Sequence, residues 1–273
     1  MKILITGANG YIGSHLADYL STTEHGIFKW PDHTDISDER EVNRVFGEIM
    51  PDVVIHCAAL VSTRLCDVAR QYAYKVNVEG SKYIARAANE CSANLIYIGT
   101  TASYKPTQER ITERTPIEPI TLYGLTKYLG EEEARRECKK NVTLRFCFCF
   151  GQSDRVSGIS QMIKAYKDDR PVVLEMSPRA YKDYMHVTDF CRAVEAVIEC
   201  GEYTGEIYNI SQQTPTTLQN IVDMLYEMEI RPIIYFRPEA DYMFDHIVDS
   251  TKFRKRYGWK PRGNLKQNIS ECL

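Results

Sequence analysis

Apolar and polar positions along the chain follow two periods in turn. Short runs rich in β-branched residues fall at 2–6 (KILIT), 52–56 (DVVIH), 94–99 (NLIYIG) and 142–150 (VTLRFCFCF), and such near-continuous apolar runs belong to strands covered on both faces. Between them, near 12–21, 38–49, 67–91 and 121–139, apolar side chains return at the spacing of a helix that lays one face on a core. A further short strand is expected at about 26–30. Strand and helix in alternation predict βαβ units, and so an α/β fold: a doubly wound parallel sheet with helices on both faces.

Beyond Gly151 the alternation loosens. GQSDRVSG reads as a loop, ISQMIKAYKDD as a helix, PVVLE as a short strand, and 188–200 as a helix capped by Thr188. One more amphipathic helix, TLQNIVDMLYEM, precedes connections punctuated by Pro232, Pro238 and Pro261. Such a stretch fits a smaller C-terminal lobe that closes a cleft. With no repeat and no flexible linker, the two lobes are expected to interleave.

Composition removes several classes of function. The 273 residues are 44% apolar and 26% charged with a formal net charge of -3, so no basic field is available to hold nucleic acid or an anionic membrane. A small-molecule partner is expected. No run is long enough to span a bilayer, and MKILITGANGYIG is broken by glycines too early for a signal peptide, which places the expected site of action in the cytoplasm. Nine cysteines, an odd number with no CxxC and no Cys/His ligand spacing, predict reduced thiols and no metal site.

The first strand runs into ITGANGYIGSHLADYL, which sets Gly7, Gly10 and Gly13 between strand and helix. In that context the first glycine permits a tight turn, the second lets backbone approach a pyrophosphate, and the third lets helix and sheet pack closely. The phosphates then sit at the positive end of the helix. This spacing, together with the alternating units, resembles the extended short-chain dehydrogenase/reductases, the group of nucleotide-sugar epimerases, dehydratases and 4-ketoreductases. Further segments carry the resemblance in order: TDIS (34–37), VIHCAA (54–59), KVNVEGSKYIARAA (75–88), YKDYMHVTD (181–189), GEIYNIS (205–211), FRP (236–238) and YGWKP (257–261).

The resemblance implies a Rossmann-type domain over 1–150 plus about 185–210, with a substrate lobe from 151–184 and 211–273. It implies NAD or NADP, held by Gly7, Asn9, Gly10, Tyr11, Ile12 and Gly13 of the turn, by Asp35 and Ile36, by Cys57, Ala58 and Ala59, and by Asn77. It also implies a homodimer paired through the helices at 67–91 and 121–139. One departure is early: only STTEHGIFKWPDH separates the first helix from TDIS, so the usual intervening helix is absent, as in dTDP-4-dehydrorhamnose reductases. Asp32 is then a candidate for the adenosine ribose, while Lys29 and His33 are candidates for a 2'-phosphate, and the choice between NAD and NADP stays open.

In TLYGLTKYLG, Tyr123 and Lys127 stand one helical turn apart and share a face. A tyrosine near its ordinary pKa of about 10 is a poor base, and a lysine charge beside it favours the phenolate. In the resembled family this pair moves a proton during hydride transfer, and the lysine also holds the nicotinamide ribose. The third member is a Ser or Thr after the preceding strand. Spacing makes Thr100 the match to the rhamnose-pathway reductases and Thr101 the match to the epimerases.

Dehydratases carry an Asp-Glu pair where this chain has Thr101 and Ala102, so dehydration is not expected, and the acid/base cysteine of 3,5-epimerising members falls at Ala102. Phe148, Lys182 and Arg237 are the candidates for the nucleotide-sugar. His56 and His186 read as structural, and EEEARRECKK as the solvated side of a helix. The expected activity is NAD(P)-dependent hydride transfer at a sugar carbon, C4 keto reduction first and C4 epimerisation second. A non-catalytic NAD(P)-binding regulator on the same fold is the third alternative.

Overall fold

The computed structural model of the chain describes residues 1–175, 177–237 and 245–273. Its strands are β1 (Lys2–Thr6), β2 (Gly26–Lys29), β3 (Val53–His56), β4 (Asn94–Thr100), β5 (Asn141–Phe146), β6 (Phe148–Phe150), β7 (Val172–Leu174), β8 (Tyr184–His186), β9 (Ile207–Ile210) and β10 (Ile234–Phe236). Six of them form one sheet in the order β2-β1-β3-β4-β5-β9, every neighbouring pair parallel. From β1 the chain moves outward to β2 and then crosses back to β3. That reversal opens a crevice at the carboxyl ends of β1 and β3.

Side-chain alternation explains the layers. Ile3 and Ile5 of β1 enter one core with Leu16 of α1 (Tyr11–Leu20), whereas Leu4 enters the other with Val42, Val45 and Phe46 of α2 (Glu39–Ile49). Each such side chain is fully buried and contributes about 1.5–3 kcal/mol. As expected from the short 21–33 segment, no helix intervenes between β2 and residue 34; β2 itself forms an edge of the sheet.

The helix expected over 67–91 is instead four pieces. After α3 (Thr63–Val68), Ala69 leaves helical geometry at φ -119 and ψ 53; α4 (Arg70–Tyr74) follows, then one π-helical turn over Lys75–Gly80, then α5 (Ser81–Glu90). Periodicity cannot show this, because a single wide turn leaves the apolar spacing on either side helical. Next come α6 (Leu122–Glu137) and α7 (Gly158–Lys167), then α8 (Val187–Cys200). The expected cap of α8 is corrected: His186 occupies the N-cap position, with no side-chain bond, and Thr188 lies inside the helix.

A third core gathers Phe150, Ile159, Met162 and Leu174 with Leu218, Ile221 and Leu225 of α9 (Leu218–Glu227). Around it lie two small parallel pairs, β6 with β8 and β7 with β10. From α10 (Thr251–Tyr257), Phe253 returns to the main sheet core with Trp259, so the last stretch of chain stitches the two parts together before α11 (Leu265–Ser270).

Candidate active site

The glycine turn closes on the β3 loop. Gly7 has φ +67, and a methyl group there would stand 2.7 Å from the Ala58 nitrogen; one on Gly13 would collide with the Gly7 carbonyl. Gly10 precedes α1, whose N-terminus has neither a side-chain cap nor an acidic residue in its first turn. Its orphan N–H groups are therefore left for an outside anion, and the cradle fits a pyrophosphate. Ile12 packs on the sheet core, and the Tyr11 hydroxyl is buried with no partner among the described residues.

Around this turn the other expected residues fall into place unequally. Asp32 accepts a hydrogen bond from the Asn9 amide, at the rim of the turn, while Lys29 points to Asp18 at 3.8 Å. Asp35 spends one oxygen on the Ser37 N–H, and Ile36 is buried against Gly80. Beneath Cys57–Ala59, the Ala58 N–H donates to Thr6, the Thr6 hydroxyl meets His56 Nδ1 at 2.7 Å, and His56 Nε2 meets Ser81 at 3.0 Å. Burial, aided by the Lys127 charge, pushes the His56 pKa down to about 3, so it is a neutral structural histidine as expected.

Asn77 proves to be a fastener. Its amide oxygen accepts from Leu60 N at 2.7 Å and its nitrogen donates to the Leu60 carbonyl and to Thr126, and Asn77 itself has no exposed surface. The π turn delivers this side chain to the loop after β3. Its own carbonyl lies so close to α6 that a side chain at Gly130 would collide with it.

That packing sets Tyr123 and Lys127 over the end of β4. Thr121 caps α6 by accepting from Gly124 N at 3.0 Å. Burial raises the Tyr123 pKa, opposed by the Thr100 hydroxyl, which stabilises the phenolate as a hydrogen-bond partner. Lys127 is 4% exposed, with Nζ 4.3 Å from the Tyr97 ring centre. Burial lowers its pKa to about 8, against the pull of Cys57 and Glu131.

The two threonines diverge. Thr100 faces Tyr123, but Thr101 donates to the Phe146 carbonyl at 3.3 Å and meets His246 Nε2 at 2.7 Å. Behind Lys127 the solvated-face reading fails at Glu131, which is 1% exposed and grips Arg145 through oxygens at 2.5 and 2.8 Å. Arg145 in turn lies over Tyr104, whose hydroxyl donates to Asn209.

On the substrate side, Lys182 Nζ stands 4.6 Å from the Phe148 ring centre, and burial lowers its pKa. Arg237 is not brought to them; it pairs with Glu175 at the surface, and Pro238 of the FRP segment lies outside the described residues. Sequence reasoning missed His246, Glu131 and Arg145. Only the spacing of Glu131, one turn beyond Lys127 on the same helix face, could have hinted at the last two. All nine cysteines are free, and no helix among the described residues is long and apolar enough to cross a membrane.

A doubly wound parallel sheet with a glycine turn at its switch point is the architecture of a dinucleotide-binding fold. Residues 3–211 match the family model described as NAD dependent epimerase/dehydratase, and the chain belongs to that family. It is 30% identical to the spore coat polysaccharide biosynthesis protein SpsK of Bacillus subtilis, over 77% of this chain and 73% of that protein. With the UDP-glucose 4-epimerase of Rhizobium leguminosarum bv. trifolii it shares 24% identity over 98% of this chain and 94% of the relative. The dTDP-4-dehydrorhamnose reductase of Bacillus anthracis, solved in complex with NADP, superposes with a TM-score of 0.87 at 22% identity, covering 99% of this chain and 98% of that one.

Proposed function

We propose that the chain is an NAD(P)-dependent oxidoreductase of nucleotide-linked sugars, reducing a keto group at C4. The observation that carries this reading is that Thr100 hydrogen-bonds Tyr123, while Lys127, one helical turn on, has its charge near Cys57 of the loop packed against Gly7. When bound, the dinucleotide supplies the hydride. Tyr123 gives the proton to the nascent alkoxide, Thr100 donates to the same oxygen, and Lys127 holds its charge near the phenol so that the phenolate left behind is tolerated. Burial raises the Tyr123 pKa, so the phenol is protonated at neutral pH, as a proton donor must be; C4 epimerisation, the activity named for several relatives, is the second reading.

Asp32 at the rim of the turn supports NAD over NADP, because a carboxylate accepts from ribose hydroxyls and repels a 2'-phosphate. The assay is oxidation of NADH or NADPH with UDP- and dTDP-linked 4-keto hexoses. Thr100→Val is expected to lower kcat by about 10²-fold and Thr101→Val by less than about threefold. Interconversion of C4 epimers without net cofactor oxidation selects the epimerase; cofactor binding with no turnover of any substrate selects the regulator.

A homodimer fits the surface. Val61, Leu65, Val68 and Tyr72 are each half or more exposed, and α3 and α4, which carry the last three, pack against α6, where Leu125 is exposed as well. A second copy buries these side chains. Light scattering is expected to give twice the mass of the chain, and a monomer at micromolar concentration rejects the assignment.

A further inference from the structure

We infer that His246 contacts the substrate, offering Nδ1 as the acceptor for a hydroxyl of the sugar ring; this rests on the nucleotide-sugar reading above. The segment 245–248 runs between two neighbours, with His246 bridged to Lys182 and Val248 bridged to Ile111, and His246 meets Thr101 just beyond the carboxyl end of β4. Its ring stands edge-on to Phe148, with centroids 5.9 Å apart at 81°. Thr101 fixes the tautomer. The threonine has one proton, and its contacts with the Phe146 carbonyl at 3.3 Å and with Nε2 at 2.7 Å are both hydrogen bonds only when that proton goes to the carbonyl and the histidine donates from Nε2.

Nδ1, on the other side of the ring, then carries a lone pair, and no donor among the described residues meets it. Burial and the Lys182 charge lower the His246 pKa to about 4, so this lone pair survives at neutral pH. A neutral imidazole acceptor beside the Phe148 ring, one residue from Thr100, is chemistry for a hydroxyl-bearing carbon near the reacting one. It discriminates against a deoxy or methyl group there, because a buried acceptor left unpaired costs affinity.

Two variants separate the two nitrogens. His246→Asn places an amide oxygen near the Nδ1 position, whereas His246→Gln keeps a donor near the Nε2 position and loses the Nδ1 acceptor. Calorimetric titration of each protein, saturated with NAD, uses UDP-glucose and dTDP-glucose, with UDP and dTDP as controls for the nucleotide half. The ratio of diphosphate Kd to sugar-nucleotide Kd isolates the sugar contacts. In His246→Gln this ratio is expected to fall about tenfold with the diphosphate Kd unchanged, and in His246→Asn to recover to within about threefold of wild type.

An unchanged ratio in His246→Gln, or equal weakening of diphosphate and sugar nucleotide, overturns the assignment and leaves the oxidoreductase reading intact. Wild-type protein that binds neither sugar nucleotide removes that reading and this inference together.

Discussion

Replacing Tyr123 by phenylalanine is expected to lower kcat for a keto-sugar nucleotide by about 10³-fold while NAD(P) affinity stays within about threefold. The hydroxyl is a proton source that meets Thr100, and removing it leaves the ring packing in place. Stopped-flow reduction with cofactor titration measures both quantities. Retention of full turnover would sink the assignment of Tyr123 as proton donor.

The wild-type pH profile carries a second signature. Lys127 titrates near 8, so kcat/KM is expected to decline as pH rises through that value and the ammonium is lost. Stability moves the other way. Between about 8 and the ordinary lysine pKa of 10.5, the unfolded chain holds a proton that the folded protein has released, so the lysine makes folding more favourable as pH rises.

Arg145→Met is expected to destabilise the protein by about 3–5 kcal/mol, because it strands the Glu131 carboxylate in the interior. Both partners are at most 2% exposed, so water cannot replace the lost contacts. The double variant Glu131→Leu/Arg145→Met is expected to recover most of the loss, as two apolar side chains share the vacated volume. It also removes the carboxylate that supports the Lys127 charge, so its alkaline activity limit is expected at lower pH than that of wild type. Urea unfolding reads the first effect and the pH profile the second; a single variant as stable as wild type rejects the argument.

Local pattern made much of this legible. The β-branched runs marked β1, β3, β4 and β5 to within a residue or two, save that 142–150 divides into β5 and β6 at Cys147. The glycine turn was readable because its chemistry lies in three neighbours and one strand-to-helix junction. Tyr123 and Lys127 were readable because helical geometry alone puts them together.

What escaped is pairing over distance or over a single bond rotation. Glu131 sits in a charged run with the composition of a solvated face, and only the register of α6 on β5 reveals Arg145 beneath it. His246 meets Thr101 from the far end of the chain, with no motif to announce it. Thr100 and Thr101 are adjacent and chemically alike; the turn that follows β4 alone decides which of them sees Tyr123.

The π turn over Lys75–Gly80 has a consequence for rotational phase. An α-helix advances each residue by about 100°, so one continuous helix from Arg70 to Glu90 would bind the orientation of its first half rigidly to its second. The wider turn resets that angle once. It lets α5 clock Ile84, Ala85 and Ala88 onto the sheet while α4 independently turns Tyr72 and Tyr74 outward, and Asn77 sits at the coupling between the two settings.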